Sequence, residues 1–145
     1  MSQPSPSGPV VIPPPRSVAA AGALVIAEAL GLVVLAGVIV ASGLRHSAAV
    51  GQLLAQGAYY VILAAGMVSC GLALLRGRRW GRTPALVVQI VLAAVGYWMA
   101  VPSGRLLLGL ALIGVAVVTG GLLLTRAANV WVSRFPSLFG PDPDR

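Results

Sequence analysis

The chain has 145 residues, of which 58% are apolar and 9% charged, against roughly 25% charged in an ordinary soluble domain. Its formal net charge of +7 comes from ten arginines, no lysine and three acids, Glu28, Asp142 and Asp144. These figures exclude a soluble globular domain, a disordered chain and a disulfide scaffold, and they point to an all-α, polytopic membrane protein.

The chain opens on a tail, residues 1–16 (MSQPSPSGPVVIPPPR), that holds six of the eleven prolines. That density permits no helix and predicts a disordered, polyproline-like cytoplasmic segment able to dock a soluble partner. It lacks the basic start and short apolar core of a signal peptide, so the first apolar run is read as uncleaved.

Four spans follow, at about Ser17–Leu44, Gln52–Leu75, Pro84–Val101 and Leu106–Thr125. The first, as a helix, reaches ~42 Å, longer than the ~30 Å hydrocarbon core, so it must tilt or extend into the headgroups. Pro84 falls in the first turn of span three, where its missing N–H costs nothing. Pro102-Ser103-Gly104 ends that span. The connections are short (45–51, 76–83 and 102–105), which predicts an up-down, antiparallel four-helix bundle over 17–126.

The arginines orient it. Arg16, Arg76, Arg78, Arg79, Arg82, Arg126, Arg134 and Arg145 fall on one side, and Arg45 and Arg105 on the other. Eight against two puts both termini in the cytoplasm of a bacterial plasma-membrane protein. Within the C-terminal segment 127–145, the stretch Ala127–Phe139 has two readings. Either Trp131, Phe135 and Arg134 anchor an interfacial helix at headgroup level, or the last span frays before a disordered end.

Glu28 is the sole acid in any span, roughly 12–15 Å from the inner boundary. An ionised carboxylate at that depth must face the bundle and be paired, hydrogen-bonded or protonated. Ala20, Ala23, Ala27 and Gly31 flank it with small residues that allow close helix approach. Gln89, Ser69 and Thr119 lie at comparable depth in the other spans, so the four are expected to form an intramembrane polar site. The plainer reading of the three neutral residues is interhelical glue, with Ser and Thr also able to bond the carbonyl four residues back.

A second stripe, Gln52, Gln56, Tyr59 and Tyr60, follows one helical face near the outer end of span two. It suits an aromatic belt, or an outward vestibule joined by Tyr97 and Trp98. The loop residues Arg76, Arg78, Arg79, Arg82 and Trp80 are expected to set topology and to meet anionic lipid headgroups. His46 is a lone loop histidine, expected to be solvated. Cys70, the one cysteine, allows no internal disulfide and no cysteine metal site, and packs as a small hydrophobe. No metal, cofactor or nucleic-acid partner is expected. Anionic lipid at the inner face is expected, with either a membrane-protein partner or a second copy of the chain.

Two resemblances attach to these residues. Leu75–Gln89 (LRGRRWGRTPALVVQ) resembles the second loop and third span of small four-helix integral membrane proteins of actinobacteria, which share the chain's layout over 17–126. This resemblance implies an inner-membrane protein and brings no substrate or catalytic residue. Gly22–Gly31 (GALVIAEALG) is similar to the first span of small multidrug resistance transporters, which carry a membrane glutamate in a matching setting. That similarity implies a proton and cation site at Glu28. The chain departs from those transporters in its greater length, its strong charge orientation and its lack of their aromatic–glycine pattern. The expected function is therefore that of a non-enzymatic accessory, scaffold or regulatory subunit, with a small proton-coupled transporter or proton relay at Glu28 as the alternative.

Overall fold

A computed structural model describes residues 12–46 and 49–135. Its elements are five helices, α1 (Arg16–Arg45), α2 (Val50–Leu75), α3 (Arg82–Ala100), α4 (Leu106–Leu124) and α5 (Arg126–Ser133), with a 3-10 turn (Arg79–Gly81) before α3. No strand occurs among the described residues. The four apolar runs become helices because that is the one local structure in which a continuous apolar segment satisfies its own backbone groups. Four helices, counting α3 with its leading turn, are long and apolar enough to cross a membrane. Only 17% to 28% of each apolar window is buried within the protein. The rest of that surface faces outward, far beyond the apolar patches that a water-exposed monomer carries.

The helices associate in two pairs, α1 with α2 and α3 with α4, and α1 makes lesser contact with α4. Glycines set both close approaches. A Cβ on Gly71 would stand 2.8 Å from the carbonyl oxygen of Gly22, and one on Gly96 would stand 2.8 Å from that of Gly109. Neither position has room for a side chain, which is how small residues bring apolar helices into backbone contact.

Two turns end on glycine in the left-handed region, Gly77 (φ 72°) and Gly104 (φ 66°). At the first, Arg78 N–H donates to the Ala73 carbonyl (2.8 Å) and Gly77 N–H to that of Leu74 (3.1 Å), a Schellman closure of α2. The chain is thereby turned sharply towards the 3-10 turn and α3.

The apolar core lies at the end of the bundle where α1 begins. It joins Val18, Ala21, Val25, Leu74, Ala85 and Leu123 to Ala128, Trp131 and Phe135 from the C-terminal segment. Cys70 is buried beside it on α2. Of the proline-rich tail expected to be disordered, residues 1–11 lie outside the described residues. Residues 12–15 run without regular structure into α1, and Ile12 N–H reaches the Gly77 carbonyl at 3.4 Å.

Candidate functional site

Glu28 sits near the middle of α1, half-buried, and its carboxylate is divided between two helices. Gln89 Nε2 of α3 donates to Oε2 at 2.8 Å, and Thr119 Oγ1 of α4 donates to Oε1 at 2.9 Å. Gln89 and Thr119 are themselves buried, at 4% and 0% exposure. Both partners are neutral. A hydrogen bond to a charged group contributes roughly 1.5–3 kcal/mol, more than a neutral pair. The Oε1 atom of Gln89 is buried and has no partner among the described residues.

Ser69, expected in this cluster, is not there. Its side chain is exposed on α2 and donates to the Ala65 carbonyl at 2.8 Å. The carbonyl one turn back is always within reach of a helical serine, so the local bond prevails. The small residues Ala20, Ala23, Ala27 and Gly31 also lie on the exposed side of α1, while the close approach to α2 runs through Gly22.

The arginine loop divides. Arg76, Arg78 and Trp80 are exposed. Arg82 instead turns inward: its Nε donates to the Leu123 carbonyl at 3.0 Å and its Nη2 to Asn129 Oδ1. The cause is the break at Thr125 (ψ 153°), which ends α4 and leaves its last carbonyls without helical donors. Arg82 takes one, and Asn129 Nδ2 takes that of Leu124 at 3.3 Å. Arg79 packs its guanidinium over the Phe135 ring, 5.6 Å from the centroid.

Trp131 and Phe135 are not headgroup anchors. They are 2% and 8% exposed and stack edge to face, with centroids 5.2 Å apart. Thr125 caps α5 by accepting from Ala128 N–H (3.3 Å), and its hydroxyl lies 3.1 Å from Ser17 Oγ. That break folds α5 back over the end of the bundle as a lid, where the indole gains more from the core than from an interface. Trp131 Nε1 then donates to the Ile12 carbonyl at 3.1 Å. The sequence carried one sign of this lid, a Thr cap followed by a short amphipathic stretch with Trp131 on its apolar face.

Of the second stripe, Gln52 and Tyr59 are exposed and Gln56 and Tyr60 half-buried, and the two tyrosines meet edge to face at 5.6 Å. Tyr97 and Trp98 are exposed on α3, and no ring contact joins them to these tyrosines among the described residues. His46 is exposed at the end of α1, with Nδ1 2.8 Å from the Ser42 carbonyl. No three His, Cys, Asp or Glu side chains cluster among the described residues. Comparison of the chain with protein-family models, with curated proteins and with solved structures returns no match.

Proposed function

We propose that the protein is a non-enzymatic membrane component, a scaffold or accessory subunit, in which Glu28 clasps the two helix pairs together. The observation that carries this reading is the engagement of both carboxylate oxygens by buried donors, one on α3 and one on α4. Glue between helices needs a polar group satisfied on both sides, and this one is. In the bilayer the four helices run up and down, antiparallel, with both termini and the lid on the cytoplasmic side. The arginine distribution supports that orientation, as do the short connections.

The test is Glu28→Gln in the full chain, read by thermal melting in detergent and by co-fractionation from native membranes. A clasp predicts a lower melting temperature and a changed complex profile. An unchanged melt and profile would sink it. Orientation is checked with Ala48→Cys and Trp80→Cys in a Cys70→Ala background: the first should label from outside and the second from inside, and the reverse would overturn it.

A proton relay at Glu28 is the second reading. It is favoured because, among the described residues, no cation pairs with the carboxylate and the buried Oε1 of Gln89 receives no donor. On that reading Glu28→Gln melts normally and loses pH-driven flux in proteoliposomes, whereas a clasp predicts a lowered melt and no pH-driven flux with either the parent chain or the variant.

A further inference from the structure

The N-terminal prolines and α5 border an open groove that the clasp does not use. It measures about 440 Å³, within the ~300–1,000 Å³ range of small-molecule clefts. Pro13, Pro14 and Pro15 line it from the N-terminal segment, and Arg126, Val130 and Arg134 line it from the C-terminal one. Arg126 and Val130 of α5 and its C-cap residue Arg134, which keeps helical dihedrals, are spaced i, i+4, i+8, so they share one face, with the arginines about 12 Å apart along the axis. Arg126 and Arg134 are exposed and have no partner among the described residues, while Arg82, at the start of α3, is spent on α4 and Asn129. The prolines offer carbon surface and no N–H donor. The groove therefore offers two guanidinium forks to an anion and the apolar surface of Val130 and the proline rings to a linker. It opens beside the end of α4, next to the last residue of an apolar span.

We propose that this groove is a discrete binding site for the glycerophosphate headgroup of an anionic phospholipid. Guanidinium groups match phosphate oxygens in pairs, and arginines at the cytoplasmic surface draw anionic lipid. The inference rests on the membrane reading, because only a chain in the bilayer places the end of α4 at phosphate depth. It does not depend on whether Glu28 is a clasp or a relay.

The test is native mass spectrometry of the full chain released from nanodiscs of mixed phosphatidylglycerol and phosphatidylcholine. The expected result is retained phosphatidylglycerol, favoured over phosphatidylcholine by about tenfold. Arg126→Gln with Arg134→Gln should abolish that preference, while Arg76→Gln with Arg78→Gln should leave it intact. Equal loss in both pairs would mean diffuse attraction to basic residues and would overturn a discrete site. Displacement of the lipid by millimolar inorganic phosphate or glycerol phosphate would assign the groove to a soluble anion instead. A preference that appears only after Asp142→Asn with Asp144→Asn would show that the chain's own acids fill it, which also overturns the proposal. Alkaline carbonate extraction of the same membranes is scored separately. Protein in the soluble fraction would refute the membrane reading itself, whereas a protein that stays in the pellet without lipid preference refutes the groove alone.

Discussion

The two ends of the bundle are built on different principles. At the end that carries α5, chain segments far apart in sequence are tied by polar bonds. Arg82 joins α3 to α4 and α5, Thr125 meets Ser17, and Trp131 holds Ile12. At the other end, each helix pair closes on itself through small residues. Gly109 packs on Gly96 and Ala100, and the buried Leu53 fills the space over Gly43. Tyr59, Tyr97 and Trp98 are left outward there, at 60%, 59% and 65% exposure. Among the described residues, every side-chain hydrogen bond between helices lies from Glu28 towards the lid. Fastening of pair to pair is thus concentrated in one half, and the opposite half is held pair by pair.

That contrast sets a ranked series of measurements on thermal or denaturant unfolding in micelles. The largest loss is expected for Trp131→Ala, about 3–5 kcal/mol, because it empties the lid's anchor and frees Ile12. If the melt is unmoved, the lid is not fastened as described. Glu28→Ala comes next. It strands the Gln89 amide and the Thr119 hydroxyl, at roughly 1–3 kcal/mol for each buried group left unsatisfied. A double-mutant cycle of Glu28→Gln with Thr119→Val sharpens the point: a coupling of about 0.6 kcal/mol, up to about 1.7, is expected. The same cycle with Ser69→Ala should give none, and a coupling there would place Ser69 back in the site. The smallest effect belongs to the other end, where Trp98→Ala should change unfolding by less than about 0.5 kcal/mol. A loss near that of Trp131→Ala would erase the distinction between the ends.

Much of the architecture was legible because hydrophobic runs and helix breakers act locally. Four apolar stretches bounded by Arg, Pro and Gly gave helices with ends within a few residues of those expected, since the boundary is a property of the chain itself. Depth along those helices was enough to suggest that Glu28, Gln89 and Thr119 are neighbours, because all three depths are counted from the same end of the bundle. Depth says nothing about rotation, and Ser69 shows the cost: right level, wrong face. Arg82 and Trp131 were misjudged for a different reason. An arginine in a basic loop and an aromatic after a span have ordinary partners in lipid, and only the break at Thr125 turns them inward. The Thr cap and the short amphipathic stretch after it mark a helix there, but that its apolar face meets the core and not lipid is a tertiary event that the local pattern does not decide.

The bonds at Ile12 carry a consequence for biosynthesis. Its N–H meets Gly77 and its carbonyl meets Trp131, so this early residue is held by positions 65 and 119 places further along the chain. None of those partners exists when the first helix enters the membrane. At elongation rates of roughly 5–20 residues per second, the proline strap waits seconds for the lid that will hold it. Ile12 is therefore among the last positions to settle, and loss of the chain's last ten residues would leave Trp131 in place to hold it, while loss of its last fifteen would remove Trp131 and prevent that closure.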